Sequence, residues 1–207
     1  MRVSRDRRTR MSVSTKRSLA TINPMGLGDR AKKLGPEALY EYAVGALGRR
    51  ALTERELRLK LQRKASKPAD IDDALERVRS LGYLDDARVA ESHANYRKEF
   101  EALGRRRVFS ELRRRGVDAE TAARTVSEAY EEVDEAEQIR RYLERKLARR
   151  LDRPIDDPKE VARLTRTLQR AGFSSGRIVE ALQRVAADPG WLDGLEEPEP
   201  PLDADDL

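Results

Sequence analysis

One spacing of apolar residues recurs three times along this chain. A leucine near the end of a predicted helix is followed fourteen and seventeen residues later by two further apolar residues. The three sets are Leu61, Leu75 and Val78; Leu112, Val126 and Ala129; and Leu168, Leu182 and Val185. Because the leading leucines lie 51 and 56 residues apart, the pattern indicates tandem structural units. None is large enough to bury its apolar face alone, so we expect neighbouring units to stack.

The apolar residues within the units have helical spacing. A first stripe consists of Tyr40, Ala43, Val44 and Leu47, and a third of Ile71, Leu75, Val78 and Leu81. Between them, Thr53 and Glu56 have the spacing of a capping box, with Leu52 and Leu57 as its hydrophobic staple. Gly82 is placed to end the third helix in the left-handed conformation.

The sequence therefore predicts an all-α fold. Three tandem three-helix repeats, at residues 37–84, 85–133 and 134–187, are expected to form an elongated, curved helical array. The flanking segments read as disordered: a basic arm at 1–36, with ten Arg/Lys against two Asp/Glu, and an acidic tail at 188–207, with eight Asp/Glu and no Arg/Lys. The alternative for the arm, a transit peptide, has weaker compositional support.

Composition excludes several classes of function. The chain has no cysteine and one histidine, which excludes disulfides, thiolate catalysis and multi-histidine metal sites. No stretch approaches the roughly 18 apolar residues of a membrane span. We therefore expect a cytosolic, monomeric protein with no cofactor, no metal and no catalytic residues.

Two adjacent carboxylates, Asp85 and Asp86, raise the question of a metal or catalytic pair. They directly precede the stripe Val89, His93, Tyr96 and Phe100, so Asp85 is predicted to be an N-cap. Asp86 would add negative charge to the positive end of the helix dipole. Consecutive helical residues point about 100° apart, which disfavours a shared catalytic role.

Three further side chains have structural interpretations. His93 lies on the predicted buried stripe, so we expect a packed, hydrogen-bonded imidazole. Tyr83 and Leu84 are predicted to plug the joint between the first two repeats. The alternative for Tyr83 is a contact with a partner, since aromatic residues are favoured at interfaces.

Two arginine clusters point to an anionic partner. The first lies in "GRRRVFSELRRRG" and comprises Arg105, Arg106, Arg107, Arg113, Arg114 and Arg115. Their guanidinium groups suit phosphate or carboxylate recognition, although the last three could instead cap the end of the helix. The second and weaker cluster comprises Arg140, Arg141, Arg145, Lys146, Arg149 and Arg150, where Glu137 and Glu144 can form ion pairs.

Four motifs in order resemble the RecX family of bacterial recombinase regulators, over about residues 38–185. They are "LGRRALTERELRLKL", "LGYLDDARVA", "GRRRVFSELRRRGV" and "LTRTLQRAGFSSGRIVEAL". Val108 replaces the family's usual isoleucine, and Ala171 stands where a basic residue is common. Ala171 would remove one charged contact from the third repeat. Both tails fall outside the resemblance.

The resemblance implies a partner and a role. Family members bind RecA and its filament on single-stranded DNA, and they restrain strand exchange, ATPase and coprotease activity. Two rival interpretations remain from the residues. One is a sequence-independent DNA-binding protein without a RecA target. Weak direct DNA binding would also be compatible with a regulator of RecA. The other is a nuclease using Asp85 and Asp86, for which no acid, base and ligand set is visible.

Overall fold

The computed structural model describes residues 33–147 and 154–193. Most of the predicted basic arm and acidic tail lie outside these ranges, as do Arg149 and Arg150. The described residues contain nine α-helices, one 3₁₀ helix and two isolated β-bridges, and no β-strand. The all-α prediction is confirmed. The helices are α1 (Pro36–Arg49), α2 (Glu54–Gln62), α3 (Ala69–Ser80), α4 (Asp86–Glu101), α5 (Arg105–Arg115), α6 (Ala119–Ala129), α7 (Glu135–Leu147), α8 (Pro158–Arg170) and α9 (Ser175–Gln183); the 3₁₀ helix is Pro189–Leu192.

Helices pack chiefly within consecutive groups of three. The first helix of each group lies mainly against the third: α1 on α3, α4 on α6, and α7 on α9. Buried side chains of α1 to α3 form one apolar core, and those from α4 onward form a second. This grouping supports the predicted repeats; their boundaries and the elongated, curved form remain predictions.

Side-chain caps begin several helices where the sequence predicted them. The capping box at α2 is present, with Glu56 N–H donating to Thr53 Oγ1 and Thr53 N–H donating to Glu56. Leu52 and Leu57 are both buried, as the staple requires. Gly82 follows α3 with a φ of 71°, which confirms the left-handed ending.

Three predicted buried positions are wrong. On α4 the buried residues are Val89, Ala90 and Ala94, whereas Tyr96 and Phe100 are 53% and 66% exposed. Leu81, predicted to end the stripe of α3, is also exposed. The small side chains of α4 face the core because they let α4 approach α6 closely, which long aromatic side chains would prevent.

The second helices of the three groups meet end to end. The N-cap Thr53 of α2 donates from Oγ1 to the carbonyl of Arg115 at the end of α5, at 2.6 Å. At the equivalent junction, Gly104 N–H donates to the carbonyl of Ala171 at the end of α8, at 2.9 Å. Each junction places the negative end of one helix dipole against the positive end of the next, which stabilises both.

Candidate interaction surface

The six arginines of α5 divide into structural and exposed members. Arg113 donates from Nη1 to the Val117 carbonyl at 2.7 Å, just beyond the end of α5. Arg113 is therefore bonded to the chain beyond α5 rather than to one of the last carbonyls of the helix, and the capping alternative stays a prediction. Arg106 and Arg107 are half-buried, whereas Arg105 is exposed and the Arg114 side chain is 62% exposed. Arg105 and Arg114 are therefore the members best placed to meet an external anion.

Arg115 belongs to the junction between α5 and α2. Its Nε and Nη2 donate to the two carboxylate oxygens of Glu56, each at 3.0 Å. Both side chains are 21% exposed, so the pair is partly shielded from water. Burial acts to raise the pKa of Glu56, but the hydrogen bond and charge of Arg115 outweigh it and hold the pKa below its usual value.

The junction between α8 and α5 has no equivalent of the ion pair between Arg115 and Glu56. Ala171 occupies the position of Arg115, and Arg107 occupies the position of Glu56, by the spacings of 56 and 51 residues. A basic residue at 171 would therefore stand beside an arginine. Arg107 pairs instead within its own helix, with Glu111 at 2.9 Å. Ala171 is buried and contributes no charge at this junction.

The carboxylate of Glu111 is the centre of a charged cluster between α4 and α5. It lies 2.8 Å from Arg97 Nε, 2.9 Å from Arg107 Nε and 3.0 Å from His93 Nε2, with Arg114 at 3.9 Å. Its side chain is only 9% exposed. Burial acts to raise the pKa of Glu111, but the surrounding arginines and His93 outweigh it and lower the pKa. Glu111 therefore balances part of the positive charge of α4 and α5.

His93 has the predicted packed and hydrogen-bonded environment. Its side chain is 15% exposed. Burial lowers the pKa of His93 from its ordinary value, with the charges of Arg115 and Arg97 acting in the same direction and Glu111 opposing them.

This pKa predicts how stability depends on pH. The unfolded chain binds a proton at His93 at higher pH than the folded chain, so folding stability should fall as pH drops below about 6.5. Since His93 is the only histidine, thermal unfolding at pH 7.5 and 5.5 isolates its contribution. We expect a lower melting temperature at pH 5.5 and a smaller difference in His93→Gln. An equal pH dependence in both proteins would contradict the prediction.

Two arginines of the α7 cluster donate hydrogen bonds to backbone carbonyls at the end of α4. Arg141 and Arg145 donate to the carbonyl of Glu99, each at 3.1 Å, and Arg145 also reaches the carbonyl of Phe100 at 2.5 Å. Arg140 pairs with Glu137 and Glu144, each at 2.8 Å. Lys146 is exposed. Most of the described members of this cluster are thus engaged within the fold.

The adjacent carboxylates cap two different helices. Asp85 accepts from the N–H of Arg88 at 2.9 Å, which confirms it as the N-cap of α4. Asp86 lies in the first turn of α4, as predicted, but its Oδ1 accepts from Glu54 N–H at the start of α2, at 2.8 Å. Burial raises the pKa of Asp86. This second cap could not be predicted from local sequence patterns, because it joins residues 32 positions apart.

Several aromatic side chains are more exposed than the sequence predicted. Leu84 is half-buried and packs against the first core, and its role in closing the joint stays a prediction. Tyr83 is 53% exposed, so its predicted role in closing the joint is wrong. Its alternative role as a partner contact remains a prediction. Sequence reasoning also missed the exposed pair Tyr96 and Phe100, whose ring centroids lie 5.2 Å apart.

This chain is similar to known proteins in both sequence and fold. Models for the first and second three-helix domains of RecX match residues 40–77 and 85–126. A protein named Regulatory protein RecX from Halorhodospira halophila is 34% identical over 152 residues, covering 73% of this chain and 89% of that protein. The chain belongs to the RecX family. A relative of the same name from Amycolatopsis mediterranei is 33% identical, covering 78% of this chain and 95% of its own length.

Not every RecX relative is matched over its whole length. The Deinococcus radiodurans Regulatory protein RecX is 39% identical over 119 residues, and the chain spans 56% of it. Among solved structures, RecX from Lactobacillus salivarius aligns with a TM-score of 0.57 at 18% identity. That alignment covers 72% of this chain and 96% of the other, and it supports the fold.

The described residues of this RecX-family protein contain neither a candidate metal cluster nor a candidate membrane span. Among residues 33–147 and 154–193, no cluster of three or more His, Cys, Asp or Glu side chains could hold a metal ion. Over the same residues, no helix combines the length and apolar character of a membrane span. Membership of a family of regulatory proteins points to a non-enzyme.

Proposed function

We propose that this protein binds RecA and its filament on single-stranded DNA and restrains the recombinase, ATPase and coprotease activities of RecA in the cytosol. The observation that carries the proposal is its membership of the RecX family, whose curated relatives are named as regulatory proteins. The tandem helical groups provide several adjacent surfaces. If each makes a weak contact with successive filament subunits, their linkage raises the effective concentration of the next contact.

The exposed arginines of α5 support an electrostatic component of this binding. Arg105 and Arg114 lie at opposite ends of a helix whose first turn carries no acidic residue. Their exposed guanidinium groups can reach acidic side chains or DNA phosphates on a filament. Arg113 and Arg115 bond to Val117 and Glu56 within the fold, so we do not include them in the binding surface.

The test is RecA-dependent ATP hydrolysis on single-stranded DNA, titrated with the full chain. We expect the wild-type protein to lower the rate. The double variant Arg105→Gln/Arg114→Gln should require about tenfold more protein for the same inhibition, because two charge contacts are lost. Its inhibition should also depend less steeply on salt. Thermal unfolding of the variant should match that of the wild type.

A matched variant separates charge from folding. Glu120→Gln/Glu131→Gln changes two exposed side chains by the same magnitude of charge without removing an arginine. It should not weaken inhibition. If saturating wild-type protein leaves ATP hydrolysis and filament length unchanged, the proposal is wrong. Sequence-independent nucleic-acid binding then becomes the leading function, favoured by the exposed aromatic pair beside the arginines.

A further inference from the structure

Helix α8 carries a stripe of basic side chains on its solvent side. The stripe has helical spacing, at positions i, i+4, i+7 and i+11, and consists of Lys159, Arg163, Arg166 and Arg170. At 3.6 residues per turn these positions lie within an arc of roughly 60°. All four residues are exposed, and the buried residues of α8 lie on the opposite side of the helix. We call these four residues the α8 stripe.

Little negative charge lies beside the α8 stripe within residues 33–147 and 154–193. Arg163 is 3.7 Å from Glu160, and its side chain remains 68% exposed. Arg170 donates from Nε to the backbone carbonyl of Arg166 at 3.2 Å. Among the described residues, Lys159, Arg166 and Arg170 form no ion pair. The stripe is therefore a cationic surface that the described part of the fold largely leaves unneutralised.

The last described residues lie beside this helix. A bridge between Ile155 and Ala186 places the end of α9 next to the start of α8, with Ala187 N–H donating to the Ile155 carbonyl at 3.0 Å. The 3₁₀ helix Pro189–Leu192 follows and packs against both α8 and α9, with Leu192 buried. The chain beyond Leu192 therefore continues from a point held against α8.

Residues 194–207 carry the opposite charge. This 14-residue segment has no Arg or Lys and contains six carboxylates, which are Glu196, Glu197, Glu199, Asp203, Asp205 and Asp206. A chain of 14 residues can extend up to about 46 Å. The 13 residues of α8 span only about 20 Å. The segment is thus long enough to reach every member of the α8 stripe.

We propose that residues 194–207 dock on the α8 stripe of the same chain and shield it from other anions. Guanidinium groups recognise carboxylates through paired hydrogen bonds as well as through charge. Because the segment is tethered beside α8, it acts at a high effective concentration, and each contact can be weak. A second copy of the chain is less favoured as the source of the carboxylates, since its segment would compete with one that is already tethered.

The contact is autoinhibitory, because an external polyanion must displace the segment before it meets α8. It does not depend on the proposed function. The docking concerns one chain alone and is measured without RecA or DNA, so either proposal can fail while the other stands.

Paramagnetic relaxation enhancement on the full chain tests the docking. The chain has no cysteine, so Ala204→Cys gives a single site for a nitroxide label. At low salt we expect the backbone amide signals of α8 to lose most of their intensity, while those of α1 stay sharp. Raising the salt from about 0.01 M to about 1 M shortens the Debye length from about 30 Å to about 3 Å and should restore the α8 signals.

Matched charge variants identify the surface that the segment contacts. Arg163→Gln/Arg166→Gln/Arg170→Gln should restore the α8 signals at low salt. The control variant removes three exposed arginines from the first helical group and should keep the broadening; it is Arg49→Gln/Arg50→Gln/Arg63→Gln. Both variants change the net charge equally. If the stripe variant does not fold, converting the six carboxylates of residues 194–207 to amides should restore the signals with the folded region unchanged.

Elution from a heparin column measures the shielding. Heparin is a sulfated polyanion, and converting the six carboxylates to amides should raise the salt concentration at which the chain elutes. If the segment covers the α8 stripe, that increase should be smaller in the stripe variant and unchanged in the control variant. Such a difference measures the coupling between segment and stripe.

Four results would overturn the proposal. The first is that α8 signals are unaffected by the label at low salt. The second is broadening that survives loss of the stripe arginines in a folded protein. The third is equal broadening when spin-labelled chains are mixed with ¹⁵N-labelled chains that carry no nitroxide, which would assign the contact to two copies. The fourth is an equal heparin increase in the wild-type and stripe-variant backgrounds, which would show that the segment shields nothing on α8.

Discussion

Replacing Gly172 with alanine should lower the free energy of unfolding by about 3 kcal/mol. Gly172 has a φ of 88°, which strains any residue with a side chain. An added Cβ would also lie well inside 3.0 Å of the backbone N and the Cβ of Arg107. The backbone cannot relax locally, because the Gly172 carbonyl accepts from Arg106 N–H at 3.3 Å. The junction between α8 and α5 would have to open.

Urea denaturation with two further glycine variants tests this mechanism. Gly104→Ala should also destabilise, because its Cβ would clash with the Gly172 carbonyl from the other side of the junction. Gly176→Ala is the control: nothing lies within 4 Å of its added Cβ, so it should change stability by no more than about 0.5 kcal/mol. A Gly172→Ala protein as stable as Gly176→Ala would show that the helix ends do not meet closely.

Replacing Glu111 with alanine should lower the free energy of unfolding by about 2–3 kcal/mol. The substitution removes one largely buried carboxylate that Arg97, Arg107 and His93 share. Arg97, whose side chain is 27% exposed, would keep only Glu101 as an ion-pair partner among the described residues. The contact that joins α4 to α5 would be lost, so the two helices should separate more readily.

Two measurements distinguish lost charge from lost packing. Glu111→Gln keeps the side-chain volume and one acceptor, so it should lower the free energy of unfolding less than Glu111→Ala does. Glu131→Ala changes an exposed glutamate and should alter the free energy of unfolding by no more than about 0.5 kcal/mol. Glu111 also opposes the lowering of the His93 pKa, so NMR titration of the single histidine should show that pKa falling further in Glu111→Ala. An unchanged His93 pKa would contradict the charge cluster.

Much of the helical framework was predictable because its determinants are local. The capping box of Thr53 and Glu56, the N-cap at Asp85 and the left-handed Gly82 each act within one turn of their helix. The long-range spacing from Leu61 to Leu112 and Leu168 was also informative, since all three leucines are fully buried. The recurring spacing of these leucines therefore predicted a tandem arrangement of helices.

The candidate site was less predictable because one residue type serves several purposes. The sequence shows six arginines in α5 but not that Arg113 and Arg115 bond to Val117 and Glu56. Nor does it show that Glu111 collects cations from two helices. Each of these outcomes depends on which other helix supplies the partner, and hydrophobic spacing within one helix carries no such information.

The sequence by itself determined the helices, the caps at Thr53, Asp85 and Gly82, and the basic character of α5, since these follow from local spacing and residue chemistry. Only the tertiary structure decided which face of α4 is buried. The aromatic stripe is the more hydrophobic, but the alanine stripe allows α4 to lie close against α6, and Tyr96 and Phe100 are left in solvent. Close helix packing depends on the shape of both surfaces, so one helix cannot specify it.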